Sequence, residues 1–299
     1  GYWLPNSYYA KHVAPWPEMG AVYIASFVYE FAYWIWLVML VALVGRWMRT
    51  DGLRALPRAL PVRVEQLAAW TRVLAVLTVV GHFGYYTFNV GGDHFEYRVY
   101  HHLVPLIAVA FFWTADGLGW TWSGARRVAC VLWLLGLILP WTHWWHSRHA
   151  VTKSDPGSFV FPIAGFLPGP LAWYAEPWDR MHEHMLRRFV GIRHQGHKTY
   201  LYSQQLRFPD REAGSRIPAD GLPVFVAGGV GWPAWAMPHV YVIDKLGLND
   251  VVIARNPDLR SSKGRSMAHD RQPPPGYLEC FQPNVQPGPG DTTVVRRRP

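Results

Sequence analysis

One loop of the sequence combines residues suited to phosphate binding and to proton transfer. The segment VGGDHFEYRVYHHLVP, residues 90–105, holds two glycines followed by Asp93, His94, Glu96 and Arg98. A carboxylate can orient hydroxyl groups or take part in proton transfer, and a guanidinium binds phosphate through paired N–H donors. We interpret Asp93, His94 and Arg98 as substrate contacts, and Asp93 also as a candidate catalytic group. The alternative is a salt bridge between Asp93 and Arg98 that only fixes the loop.

A second candidate lies near the start of the chain. The segment LPNSYYAK, residues 4–11, supplies Asn6, Tyr8 and Lys11 shortly before a long apolar stretch. A lysine in that position can pair with a lipid phosphate as a compact point charge. The alternative is a lysine that reaches the membrane interface among interfacial tyrosines.

A third set of polar residues flanks apparent strands in the C-terminal half. It comprises Asp244, Asn249, His269, Asp270 and Arg271. These side chains are suited to sugar hydroxyls, and the alternative is that they cap turns. The glycines of VAGGVGW, residues 226–232, match neither the dinucleotide nor the P-loop spacing, so no nucleotide site is predicted.

Histidines are concentrated in two parts of the chain: His94, His101, His102, His143, His146 and His149. The last three are spaced for one helical face, which would suit a metal-dependent or redox membrane protein. Acidic partners do not stand beside them in the sequence. We therefore predict structural or polar roles for these side chains, with no metal and no cofactor.

The composition indicates a membrane protein with a water-exposed C-terminal half. Half of the 299 residues are apolar and 16% are charged, against about 25% in ordinary soluble domains. The net charge is +9, but basic residues cluster only at 296–298, so nucleic acid is not expected as a partner. Cys130 and Cys280 provide neither a disulfide framework nor a zinc spacing.

Four apolar segments are candidate transmembrane helices: residues 21–45, 66–90, 102–117 and 128–146. Glu30 and Arg72 lie inside the first two and should face a polar cavity or a partner. Arginines are enriched at 46–65 and 126–127, which predicts that these loops are cytoplasmic. The protein is then a multi-pass cell-membrane protein whose residues after 147 lie outside the cytoplasm.

The predicted fold class is an α-helical polytopic region followed by a small mixed α/β domain. The helical region covers 1–146, the extracytoplasmic domain 147–285, and a disordered Pro/Gly-rich tail 286–299. Residues 176–189 predict an amphipathic helix. Four runs rich in β-branched or aromatic residues predict strands, at 198–208, 222–232, 239–248 and 251–255.

Three segments together resemble the GT-C class of polytopic glycosyltransferases, and within it the terminal arabinofuranosyltransferases of mycobacteria. They are LPNSYYAK at 4–11, GGDHFEYR at 91–98, and HVYVIDKLGLNDVVIAR at 239–255 followed by MAHDRQPPPGYLECFQPNV at 267–285. The first two patterns indicate the class, and the third is more specific.

The resemblance implies a donor, an acceptor and a linkage. The donor would be decaprenyl-phosphoryl arabinofuranose, the acceptor the arabinan of arabinogalactan and lipoarabinomannan, and the product a terminal β-(1→2) residue. The catalytic aspartate of the class lies in the first extracytoplasmic loop, which we expect to precede Gly1, so this chain alone is expected to be inactive. The alternative function is a non-catalytic, membrane-anchored envelope protein whose tail binds glycan.

Overall fold

The computed structural model describes residues 3–11, 14–50, 74, 77–258 and 264–296. Of these described residues 58% are helical, and a few small sheets accompany the helices. It divides into two compact units. We call residues 15–146 with 161–185 the helical unit, and residues 1–14, 147–160 and 186–299 the C-terminal unit.

Ten α-helices with defined bounds, a further helical stretch at 77–84 and four short strands are the main regular elements of the described residues. The helices are α1 (Asn6–Lys11), α2 (Pro17–Glu30), α3 (Trp34–Thr50), α4 (Val104–Gly117), α5 (Trp122–Ala150), α6 (Gly169–Leu186), α7 (His194–Arg207), α8 (Arg211–Ser215), α9 (Gly231–Ala236) and α10 (Val251–Arg255). The strands are β1 (Val224–Ala227), β2 (Tyr241–Asp244), β3 (Val285–Gln286) and β4 (Val294–Val295). Helix α6 contains most of the predicted amphipathic segment 176–189 and begins seven residues before it, at Gly169.

The first predicted span is broken. Helices α2 and α3 are bent by 97° at the break between them, where Ala32 adopts φ 54°. The carboxylate of Glu30 is buried at the bend and accepts a hydrogen bond of 2.9 Å from the indole N–H of Trp178. The prediction of one continuous helix over residues 21–45 is therefore wrong. Glu30 was expected to face a polar cavity or a partner, and the indole N–H of Trp178 is such a partner.

One helix of the described residues, α5, is long and apolar enough to cross a membrane. Its most apolar window has a mean hydropathy of 1.5, and only 22% of that window is buried inside the protein. The bent pair α2 and α3 would count as a second crossing if its two arms form one span. These helices are compatible with association with a membrane.

The other predicted spans do not reach that length in the described residues. Helix α4, with 14 residues, rises only about 21 Å, which is less than the hydrocarbon thickness of about 30 Å. Of the predicted span 66–90, residue 74 and residues 77–90 are described; 77–84 are helical and Tyr85–Val90 form a π-helical turn. Arg72 and most of the arginine-rich loop 46–65 lie outside the described residues. Four crossings remain a prediction.

In the C-terminal unit, β1 and β2 form a parallel pair joined through α9. The register runs from Val224 beside Tyr241 to Ala227 beside Asp244. Buried Phe225 and Val242 belong to one apolar cluster, and Ile243 belongs to another. Both strands end at the same edge of the sheet, and that edge is where ligands bind in parallel α/β arrangements.

Two of the four predicted strands are helices. Residues 198–208 lie mostly in α7, where Thr199 is buried and donates to the carbonyl of Pro156 at 2.6 Å. Residues 251–255 form α10 because the carboxylate of Asp250 accepts from the backbone N–H groups of Val252 and Ile253. In α10 this capping stabilises a helix against the β propensity of the run, and in α7 the Thr199 bond attaches the helix to the segment around Pro156.

The described part of residues 286–299 contains a strand pair. Val294–Val295 pairs antiparallel with Val285–Gln286. Asn284 ties this ribbon to β1, since its Oδ1 accepts from the Val224 N–H at 2.8 Å and its Nδ2 donates to the Arg296 carbonyl at 3.0 Å. Composition predicts disorder here, whereas these pairings order the segment up to Arg296.

Candidate functional site

Two glycines place the loop 91–98 of the helical unit against α2. A π-helical turn, Tyr85–Val90, ends at Gly91 with φ 87°, and Gly92 follows with φ 100°. A Cβ on Gly91 would lie 2.7 Å from Cβ of Trp16, and one on Gly92 would lie 2.8 Å from the ring of Tyr23. Both the backbone conformation and the packing therefore require glycine, as the sequence predicted for a tight turn.

Asp93 and Arg98 form a two-pronged ion pair across this loop. The Arg98 Nε donates to Oδ2 of Asp93 at 2.9 Å, and Nη2 donates to Oδ1 at 3.0 Å. The guanidinium also lies 4.4 Å from the ring centroid of Phe95. The salt bridge considered as an alternative is thus present in the structure.

The same geometry leaves Arg98 accessible. Its side chain is 56% exposed, while that of Asp93 is 14% exposed. A guanidinium has five N–H donors, and the bonds to Asp93 use two of them. Asp93 therefore orients a cation whose remaining edge can meet an anion.

A layer of packed aromatic side chains lies beneath the loop. Tyr97 is buried and its hydroxyl is 2.7 Å from Oγ of Ser26, while the Tyr23 hydroxyl donates to the Phe95 carbonyl at 3.2 Å. The rings of Tyr23 and Tyr97 are 5.3 Å apart. His94 also lies on this loop, with its ring 5.0 Å from that of Phe95. This aromatic layer supports the loop that carries Asp93 and Arg98.

The histidines of α5 have different surroundings. His143 is buried, with its ring 5.9 Å from Trp178 and 5.6 Å from His182. His146 stacks on Phe166 at 4.1 Å, and His149 is exposed. Within the described ranges, no group of three or more His, Cys, Asp or Glu residues could hold a metal ion.

A second cluster lies at the carboxyl edge of the parallel strands in the C-terminal unit. Asp244 ends β2 and is fully buried, with Oδ1 accepting from the Leu246 N–H at 2.9 Å. Its Oδ2 is also buried. Burial raises the pKa of this carboxyl above its ordinary value, and the backbone N–H groups of Leu246 and Leu248, with smaller effects of His269 and Lys245, oppose the rise.

Lys245 and Tyr200 lie close to the two glycines that follow β1, at distances that an added Cβ would tolerate. A Cβ on Gly228 would lie 3.4 Å from Cε of Lys245, and one on Gly229 would lie 3.7 Å from the hydroxyl of Tyr200. Burial, with the charge of Asp244 as a smaller cause, raises the pKa of Tyr200. Sequence reasoning identified Asp244 and His269 but missed Lys245 and Tyr200. The position of Lys245 directly after a strand of a parallel pair was the available signal.

The remaining tail residues hold loops together. Asn249 closes the end of β2, because its Oδ1 accepts from the Asp244 N–H at 3.0 Å and its Nδ2 donates to the Val242 carbonyl at 2.7 Å. Asp270 accepts from the Ser266 N–H at 2.6 Å. The ring nitrogen Nδ1 of His269 is 2.6 Å from the Met267 carbonyl. These contacts are of the kind that the capping interpretation predicts.

The N-terminal candidate residues belong to the same unit as this cluster. Arg271 donates to the Tyr9 carbonyl at 3.0 and 3.2 Å, and the Arg255 guanidinium lies 4.3 Å from the Tyr9 ring centroid. These contacts anchor α1, which also contains Asn6, Tyr8 and the exposed Lys11. The fold therefore brings the helix of Asn6, Tyr8 and Lys11 next to the segment of His269, Asp270 and Arg271.

No family model, curated protein or solved structure matches this chain. The functional interpretation therefore depends on the chemistry of the two sites. In the helical unit, the loop offers an oriented and accessible guanidinium. In the C-terminal unit, the strand edge offers a buried carboxylate with Lys245 and Tyr200 beside it.

Proposed function

We propose that this chain is part of a membrane glycosyltransferase of the GT-C type that takes a sugar from a polyprenyl-phosphate donor. The donor would be decaprenyl-phosphoryl arabinofuranose, and the acceptor an arabinan of the cell envelope that receives a terminal β-(1→2) residue. The observation that carries the proposal is the Asp93–Arg98 pair, which holds an accessible guanidinium on a rigid loop. The resemblance of residues 4–11, 91–98, 239–255 and 267–285 to such enzymes supports the sugar and the acceptor.

In this reaction an acceptor hydroxyl attacks the anomeric carbon of the donor sugar. The bond between that carbon and the phosphate oxygen breaks, the phosphate keeps the electron pair, and a carboxylate takes the hydroxyl proton. Negative charge grows on the leaving phosphate, so a fixed cation beside it lowers the barrier. We assign that role to Arg98, which Asp93 orients. We assign the residues of this chain to donor and acceptor contacts, not to a complete catalytic machine.

Exposed side chains of α5 support a membrane setting for this reaction. Helix α5 exposes apolar side chains, and Trp141, Trp144 and Trp145 are partly exposed near its end, as aromatic residues are at membrane interfaces. The arginines at 126–127 lie near its start. We propose that the end of α5 faces outward and that the C-terminal unit is extracytoplasmic.

Substitution of Arg98 in the complete gene product tests this function. Arg98→Ala removes charge-assisted contacts worth about 1.5–3 kcal/mol, so we expect transfer from decaprenyl-phosphoryl arabinose to fall roughly tenfold to a hundredfold. Arg98→Lys should recover only part, because a point charge replaces a two-pronged donor. Asp93→Asn should also reduce transfer. Rates are normalised to folded protein.

A matched control is available in the same unit. Arg180 is 71% exposed and lies 3.9 Å from Glu176 in another surface ion pair. Arg180→Ala should leave the transfer rate unchanged, since exposed pairs contribute little. Unchanged transfer in both the Arg98 and the Asp93 variants would remove this loop from the site.

The cluster around Asp244 favours a second candidate function. Tyr200 is 42% exposed and Lys245 is partly exposed at this strand edge, so these two side chains could hold sugar hydroxyls without catalysis, whereas Asp244 itself is fully buried. The protein would then be a membrane-anchored envelope protein that binds glycan. Binding of arabinan by the complete gene product with no turnover of the lipid-linked donor would favour this function over transfer.

A further inference from the structure

The C-terminal unit contains a groove lined by four aromatic residues, Tyr202, Phe208, Trp232 and Trp235, of which Phe208 is almost fully buried. The volume of the groove is about 390 Å³, within the range of roughly 300–1,000 Å³ that small-molecule sites occupy. One wall comes from the last turns of α7, one from the segment between α7 and α8, and one from α9. The side chains used below are Lys153, Tyr202, Gln205, Asp210, Trp232 and Trp235.

Two tryptophans of α9 line one wall of the groove. Trp232 and Trp235 are three residues apart on α9, with ring centroids 4.9 Å apart and planes at 41°. Trp235 is 48% exposed. Arg211 fixes this residue, since its Nη1 donates to the Trp235 carbonyl at 2.6 Å and its guanidinium lies 5.7 Å from the ring centroid. The electron-rich indole faces suit flat ligand surfaces made of C–H groups.

Polar side chains surround these rings. Gln205 and Lys153 are exposed at the groove and can donate hydrogen bonds, and the Gln205 amide can also accept them. Asp210 uses Oδ1 to cap α8, accepting from the Ala213 N–H at 2.8 Å, and its second oxygen remains an acceptor. One acid and one base line the groove, so the lining has no net charge. A ligand that combines apolar faces with many hydroxyl groups and no charge matches these properties.

We propose that this groove binds a neutral oligosaccharide. Sugar rings would lie with their C–H faces on Trp232 and Trp235, and their hydroxyls would bond to Gln205, Lys153 and Asp210. A proline-rich peptide is the competing occupant, because such peptides also dock in aromatic grooves, and the binding experiment below includes one. The inference does not depend on the proposed sugar transfer, because binding at this groove needs no lipid-linked donor.

Binding measurements on the full chain test the groove. The protein is placed in lipid nanodiscs, which avoids detergents with sugar headgroups, and is titrated by calorimetry or saturation-transfer NMR. The probes are a linear arabinan oligosaccharide, a cello-oligosaccharide and a proline-rich peptide. We expect at least one oligosaccharide to bind at millimolar concentration or below. Trp235→Ala should weaken that binding on the order of tenfold, and Trp235→Phe should weaken it less.

Two controls separate loss of binding from loss of folding. Trp173, which is 75% exposed in the helical unit, offers a matched substitution, and Trp173→Ala should leave binding unchanged. Gln205→Ala changes an exposed side chain and should also weaken binding without lowering the melting temperature. The proposal is overturned if neither oligosaccharide binds at millimolar concentration. Binding that Trp235→Ala does not alter, or peptide binding that displaces the sugar, would overturn it as well.

Discussion

At the scale of single residues, Asp244 shows how burial couples a side chain to folding. Its carboxyl is fully buried, and burial raises its pKa above the ordinary value of 3.8. The folded protein therefore keeps this proton at pH values where the unfolded chain has lost it. Because the folded state then binds more protons, the free energy of unfolding falls as pH rises from about 4 towards the raised pKa.

Replacement of Asp244 by Asn removes this pH dependence. We expect the melting temperature of Asp244→Asn minus that of the wild type to increase as pH rises above about 4. Above that pH the wild-type protein must either bury a charged carboxylate or keep its proton, whereas the Asn side chain does not titrate. Thermal unfolding of both proteins across a pH series measures the difference. Asp220→Asn, at an exposed position, is the control and should show no such trend. A difference that is constant with pH would contradict the assignment.

At the scale of elements, the turn between the π-helical segment and the loop 91–98 depends on Gly92. Its φ of 100° and the ring of Tyr23, 2.8 Å from a Cβ in that position, both oppose a side chain. The loop cannot move away easily, since Tyr97 and Tyr23 pack beneath it. The geometry of Asp93 and Arg98 is therefore a property of the whole turn.

Gly92→Ala tests that dependence. We expect a loss of about 1–3 kcal/mol in the free energy of unfolding, from the overpacked contact and the strained backbone. Thermal unfolding in detergent measures it. Gly81→Ala is the matched control, because Gly81 is helical and no heavy atom lies within 4 Å of an added Cβ. Alanine at that position should be neutral or up to about 1 kcal/mol stabilising. Equal effects of the two substitutions would mean that the turn does not require Gly92.

At the scale of the whole molecule, the orientation in the membrane can be tested with the natural cysteines. Cys280 is exposed in the C-terminal unit, and Cys130 lies on α5. In a Cys130→Ser variant expressed in intact cells, we expect a membrane-impermeant maleimide to label Cys280, because the arginine-rich loops should stay inside. A cysteine introduced at Arg54, outside the described residues, should react only after lysis. The opposite pattern would reverse the topology.

Several features follow from the sequence alone because they depend on neighbouring residues. The long apolar run gives α5, the paired glycines give the turn at 91–92, and alternating β-branched runs between glycines and prolines give β1 and β2. The residue types of the loop indicated either an ion pair between Asp93 and Arg98 or a contact of Arg98 with a phosphate. Local chemistry was sufficient in each of these cases.

Other features were decided by contacts between residues far apart in the chain. Trp178 lies 148 residues after Glu30 and is a partner of its buried carboxylate, and Tyr200 lies 44 residues before Asp244. Thr199 and Gln195 bond to carbonyls of the segment 156–159, which attaches α7 to that segment. A buried polar group must find a hydrogen-bond partner wherever the fold can supply one. The sequence identifies the polar group that requires a hydrogen-bond partner, and only the tertiary packing determines which residue is that partner.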